Sequence, residues 1–187
     1  MSAPCCGARD KNAPKDAIWK TVPHRLIFAG SAHHYWGAGG CAYLHPESDP
    51  NEKSHVCIYK ITLEQFNDIL FQENYRVEDI SAMLHAASPL INLSDIEQLS
   101  KKKSLTIEAL KSCSYNTIVQ LGMEENLPIL TLTCALSDID RCKSGEIPLS
   151  PPPPKYANIL IKGLVEGKQL TEAEALDYIN VATSKKL

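Results

Sequence analysis

The chain has 187 residues, 19 basic and 22 acidic side chains, a formal net charge of −3 and 44% apolar residues. That length suits one compact domain, and the charge balance excludes a non-specific nucleic-acid binder, which needs a basic excess against phosphate. No apolar run approaches the ~18–20 residues of a bilayer-crossing helix and the opening MSAPCCGARDKNAP has no apolar signal core, so the expected setting is cytoplasmic, with no membrane and no nucleic-acid partner.

Residues 1–24 are polar, are broken by Pro4, Pro14 and Pro23, and are expected to be irregular except near Ile18–Trp19. Residues 25–187 read as a single domain with a helical insertion at about 75–112. The run from Arg25 ends at Gly30 as a strand does, and SAHHYWGAGG follows as a loop of aromatic, imidazole and glycine groups. Cys41–Leu44 and Val56–Ile61 are the next strands, joined by the polar turn PESDPNEK. At Thr62 the apolar period changes from two to between three and four. Thr62 and Gln65 form a capping box, and Leu63, Phe66, Ile69 and Leu70 mark one face of a helix ending near Phe71–Asn74. NYRVEDISAMLHAASP reads as a second short helix, and SDIE (Ser94–Glu97) as a capping box before the basic run Lys101–Lys103, which is expected to be solvated.

Thr117–Leu121 and Pro128–Cys134, split by MEEN, form the clearest hairpin. DIDRCKSGEIPLS reads as loop. Pro151–Pro154 is extended, with Pro154 opening a helix at its first position and Gly167 closing it. Thr171 and Glu174 make a third capping box for a final helix to Val181. The fold class is α+β, a small mixed or antiparallel sheet or barrel with flanking helices. The absence of GxGxxG and GxxxxGK[ST] agrees with a chain that is not doubly wound.

Seven cysteines (Cys5, Cys6, Cys41, Cys57, Cys113, Cys134, Cys142) are odd in number and contain no CxxC. No disulfide framework is expected. Cys41, Cys57, Cys113 and Cys134 lie in or beside apolar stretches and read as small buried hydrophobes, whereas Cys5 and Cys6 sit on the polar tail. No ligand spacing recruits His33, His34, His45 or His55 to a metal, so no metal is expected.

The residues with chemistry to offer are His33, His34, Trp36, Glu73, Tyr115 and Tyr156. Glu73 is either an exposed helix-terminal carboxylate or, in a partly apolar cleft beside Phe71, a proton acceptor with a raised pKa. Ser31 with His33 or His34 lacks the GxSxG elbow of a hydrolase. Tyr156, after four prolines, is either a helix anchor or a hydroxyl held rigidly at a cleft.

The order FAGS, YWGAGGCAYLHP, VCIYKIT, FQEN, YNTIVQL and PPPPKYANILIKGL resembles the gamma-glutamylcyclotransferase-like family over roughly residues 25–73 and 113–180. The resemblance implies a small mixed barrel. It also implies intramolecular cyclisation of a gamma-glutamyl compound to 5-oxoproline, with release of the amine and no cofactor. It assigns the catalytic base to Glu73, with Asn74 where the family has glycine. Substrate binding falls to Gly37, Gly39, Gly40, Tyr115 and Tyr156. The implied substrates are glutathione, gamma-glutamyl dipeptides or gamma-glutamylamines. The family's YGSN loop has no counterpart before Arg25, which supports the alternative of a catalytically reduced member acting as a binding or structural module. A missing first strand would leave an edge open unless the N-terminal 24 residues or a second chain cover it, and the second of these alternatives is a homodimer.

Overall fold

Period-two patterning does produce strands where the sequence expects them. The structure, a computed structural model, describes residues 7–30, 36–74, 88–110, 114–185 and 187. Among these it contains strands β1 (Ala17–Val22), β2 (His24–Ala29), β3 (Cys41–Ser48), β4 (Ser54–Tyr59), β5 (Ser104–Thr106), β6 (Thr117–Glu124) and β7 (Leu127–Thr133). The helices are α1 (Leu63–Asn74), α2 (Leu93–Lys102), α3 (Leu136–Lys143), α4 (Pro154–Lys168) and α5 (Glu172–Ser184), with a 3-10 turn at Glu108–Leu110. The fold is α+β. Its sheets are small, in the orders β1-β4, β2-β3 and β5-β6-β7, and no closed barrel forms among the described residues.

The chain divides into two compact units, one of Met1–Ile18 with Ile58–Thr133 and one of Trp19–Cys57 with Cys134–Leu187. Two of the three divisions fall inside β1 and β4, and the third follows β7. β1 occupies the stretch around Ile18–Trp19, the one part of the N-terminal segment expected to be ordered.

In the first unit, α1 starts as its capping box requires. The Thr62 N–H donates to Gln65 Oε1 at 3.0 Å, and the Gln65 N–H donates to Thr62 Oγ1 at 3.1 Å. Leu70 then packs with Ile91, Leu99, Ile107, Leu110 and Ile118 in a core bordered by Leu63, Phe66, Leu105, Leu130 and Leu132. β6 and β7 are antiparallel, with Thr117 opposite Thr133 and Glu124 opposite Leu127. Glu125 and Asn126 turn the hairpin with φ of 46° and 64°, the left-handed pair that matches strand twist in a two-residue loop. A bulge between Gln120 and Gly122 uses the positive φ of Gly122. β5 adds to the free edge of β6, so the region expected to be a purely helical insertion also contributes a strand. Residues 75–87 and 111–113, which include the second expected helix and Cys113, lie outside the described residues.

One local expectation changes in the first unit. α2 is capped by Asn92 and not by Ser94. Asn92 Oδ1 accepts from the N–H groups of Ser94 and Asp95, and the Asp95 carboxylate accepts the Asn92 N–H at 2.8 Å, a complete capping box two residues earlier. α2 ends on Lys103 in the left-handed region, with Lys101–Lys103 all exposed, as the sequence expects.

In the second unit, β2 and β3 pair antiparallel, with Ala29 opposite Cys41 and Leu26 opposite Leu44. The register breaks beyond Leu26, and Pro46 sits in that break on a strand with one partner, where its missing N–H costs no ladder bond. Buried His24 donates through Nδ1 to the His45 carbonyl at 2.8 Å, and the buried Ser54 hydroxyl donates to His24 O at 2.5 Å. Phe28, Leu164, Ala175 and Ile179 form the core, lined by Trp19, Leu160, Ile161, Leu170 and Tyr178. Pro154 opens α4 and the Thr171–Glu174 box opens α5, both as expected.

Three further readings change. The stretch read as loop contains α3, because Ile139 and Cys142 lie three apart and both are buried, while Asp138 and Arg141 pair outside at 3.0 Å. Gly167 is inside α4 and Gln169 is the left-handed cap. Gly167 is required for another reason, since a Cβ there would overlap the Trp19 indole. Cys142 joins Cys134 among the buried thiols, whereas Cys41 and Cys57 are half-buried.

Candidate functional site

The six site residues implied by the resemblance divide between the units: Glu73 and Tyr115 are in the first, and Gly37, Gly39, Gly40 and Tyr156 are in the second. Ser31, His33, His34, Cys5 and Cys6 lie outside the described residues.

In the first unit, a helix turns about 100° per residue, so Phe71 and Glu73 point some 200° apart. Phe71 is buried and Glu73 is exposed. The apolar neighbour expected to dry the carboxylate therefore faces the core instead. Desolvation by the surrounding protein still pushes the Glu73 carboxyl above its ordinary value. The shift thus falls on a residue that is exposed among the described residues. The next residue is the better-connected one. Asn74 Nδ2 donates to Leu70 O at 3.0 Å and to Tyr115 O at 2.9 Å, and Asn74 Oδ1 accepts the Tyr115 N–H at 3.2 Å. Asn67, two turns earlier, does the same for Ile91: its Nδ2 donates to Leu63 O and Ile91 O, and its Oδ1 accepts the Ile91 N–H, all at 3.0 Å. Two amides seven residues apart thus fasten two separate backbone segments along one side of α1. Their seven-residue spacing is the one signal of this arrangement that the sequence carries.

The second unit brings the glycine link and the polyproline run together. The segment before α4 lies along β2, with Gly30 N–H donating to Pro148 O at 3.0 Å and Ser150 N–H to Phe28 O at 3.2 Å. Gly40 enters β3 where these backbones converge, and its N–H donates to Pro151 O at 2.9 Å. A Cβ on Gly40 would collide with Ser150 O and come within 2.9 Å of Ala29 N, and one on Gly39, whose φ is 152°, would meet Pro151 O at 2.7 Å. These glycines therefore serve close backbone approach. The amide of Gly40, one of the residues to which the resemblance gives substrate binding, is already used inside the fold. Trp36 stacks on Tyr156 with ring centroids 5.4 Å apart, and the Tyr156 ring also packs on the core. Of the two readings of Tyr156, the packing supports the helix anchor.

One imidazole contact went unread in the sequence. His55 Nδ1 lies 3.2 Å from Thr21 Oγ1, its ring packs on Tyr178 at 5.0 Å, and its backbone N–H donates to the Tyr178 hydroxyl at 3.1 Å. A hydroxyl beside an imidazole invites comparison with a nucleophile and its base. The base must accept a proton, however, and burial and the nearby Lys168 charge both push the His55 pKa down. The pair is poorly set for that chemistry. Burial likewise raises the Cys142 thiol, which disfavours the reactive thiolate. No group of three or more His, Cys, Asp or Glu among the described residues is placed to hold a metal ion.

No protein-family model matches the chain, and no solved structure matches it significantly. Over 183 residues, 98% of this chain, it is 44% identical to a curated protein of Arabidopsis thaliana named Histone deacetylase 5, and the matched stretch is 27% of that protein. The chain thus spans about a quarter of the length of this relative. The finding overturns the gamma-glutamylcyclotransferase-like resemblance. With it go the lyase activity, the gamma-glutamyl substrates, the 5-oxoproline product and the place in glutathione metabolism. The resemblance rested on short glycine, proline and aromatic segments, and in this fold the glycines and prolines meet packing demands of their own.

Proposed function

We propose that the chain works as an accessory binding module of a histone-deacetylase-type protein. The observation that supports this reading is the extent of the similarity, which runs through nearly all of this chain and through only a minor part of a longer protein with that name. Each compact unit has its own apolar core, which suits a region carried beside other domains. The polar groups best defined here, Asn67, Asn74 and the Gly40 amide, fasten backbone segments to each other. Rigid presentation of a surface is what such an arrangement supports.

Releasing acetate from an acetyl-lysine side chain is amide hydrolysis, and it can be measured directly. The module reading expects no acetate release from an acetyl-lysine histone peptide by the purified chain. It also expects the Arabidopsis relative to keep its rate on that peptide when the corresponding region is deleted. Release by the chain alone overturns the reading, as does loss of peptide turnover in a deletion protein whose remaining domains are folded.

A further inference from the structure

In the first unit, residues 7–14 include no buried residue, yet the segment is held in a defined place on α1. The holding groups are polar and converge on Arg9. Its Nε donates to Asp68 Oδ1 at 3.1 Å and to Oδ2 at 3.3 Å, and its Nη2 lies 3.0 Å from Oδ1. Its backbone N–H donates to Asp68 Oδ2 at 2.7 Å. One turn earlier, Glu64 Oε1 approaches the same guanidinium at 3.5 Å. Gln65 Nε2 then reads the carbonyls that follow, Asp10 O at 3.4 Å and Asn12 O at 2.9 Å. One edge of α1 therefore recognises both the side chain and the main chain of an extended arginine-bearing segment.

The exposures tell which partner is fixed and which can exchange. The Asp68 side chain is 0% exposed, while those of Arg9 and Glu64 are 36% and 53% exposed. A carboxylate so placed requires a hydrogen-bonded cation. The strap can leave readily only when another cation takes its place. The guanidinium engages both Asp68 oxygens, a planar geometry that an ammonium cannot reproduce. None of residues 7–14 is buried, so the contacts with α1 that an incoming arginine segment has to replace are chiefly these polar ones.

We propose that the Glu64–Asp68 edge of α1 is a docking site for an extended arginine-bearing peptide, filled in this structure by the chain's own Arg9–Asn12 and exchangeable for that of a partner. The proposal goes beyond the accessory-module reading and does not depend on it.

The test uses the full chain carrying Arg9→Ala, labelled with nitrogen-15, and the synthetic peptide GARDKN as probe. Saturable shifts of the Gln65 side-chain amide are expected. In the unaltered chain the apparent affinity should be at least about tenfold weaker, because its own strap occupies the site. GAKDKN should bind at least about fivefold more weakly than GARDKN, having lost the fork. Asp68→Asn in the Arg9→Ala background should abolish the shifts. Where that variant fails to fold, Glu64→Gln, at an exposed position, should weaken binding. Absence of saturable binding to folded Arg9→Ala protein overturns the proposal, as does equal binding of the two peptides or affinity unchanged by the carboxylate variants.

Discussion

Replacing Asn67 by alanine should loosen the first unit more than any surface change. Asn67 is 2% exposed, and the Ile91 residue it holds is 1% exposed. The amide makes three hydrogen bonds, two with the Ile91 main chain and one with Leu63 O. Alanine leaves the Ile91 N–H and C=O without that partner in the interior, at about 1–3 kcal/mol for each buried group left unsatisfied. With a small void added, the loss should be about 3–5 kcal/mol, a large share of the roughly 5–15 kcal/mol that stabilises a typical domain. Both tryptophans, Trp19 and Trp36, belong to the other unit, so their fluorescence does not report on this one. Hydrogen exchange at the amides of Leu70, Leu99 and Ile118 does. Protection there should fall by about two to three orders of magnitude, at about 1.4 kcal/mol per factor of ten. Protection that stays within about threefold of the unaltered chain would refute the reasoning, since it would mean that water or a neighbour satisfies Ile91 at no cost.

Three further outcomes are expected. Gly40→Ala should destabilise the second unit by more than about 2 kcal/mol, because the atoms that a Cβ would meet are backbone and cannot step aside; an unchanged tryptophan-monitored urea midpoint would count against it. Lys103→Gly should stabilise by about 0.5–1 kcal/mol, since Lys103 has φ 66° and its side chain is exposed, and a lowered melting temperature would show that the side chain matters. The folded His55 imidazole binds fewer protons than the unfolded chain, because its pKa is lowered by burial and then by Lys168. Its contribution is therefore complete above the unfolded value of ~6.5 and is lost as pH falls through the folded value, so His55→Gln should flatten that acid-side loss in a stability–pH profile.

Local chemistry was the legible part of the fold. A capping box needs only residues three apart, and Thr62–Gln65 and Thr171–Glu174 both form where the spacing places them. The hairpin turn at Glu125–Asn126 is equally local. The start of α2 is ambiguous in sequence because Ser94 and Asn92 are both good caps, and only the geometry reveals that Ser94 donates to Asn92 Oδ1. α3 has little local signature, because Ile139 and Cys142 are buried on a helix that packs against the distant β3, while most of that stretch is polar. β5 depends on an edge supplied by β6, and three residues have no pattern of their own.

The site was less legible, and for a related reason. A sequence places a glutamate at the end of α1, but its surroundings depend on which way each residue faces, and a two-residue step carries Phe71 to the core and Glu73 to the outside. GAGG followed at long range by PPPP likewise suggests a pocket. Wherever two backbones run as close as Gly40 and Ser150, the same glycines are needed whatever the chain does. A resemblance built from such segments carries information about close approach and little about chemistry. Arg9 matters more to the first unit than its place in the sequence suggests. A lone arginine on a polar tail has no pattern, but its main-chain and side-chain donors meet one buried carboxylate on α1. Close packing does not require that convergence, because residues 7–14 bury none of their number. What it specifies is an arginine and the strand of backbone that carries it.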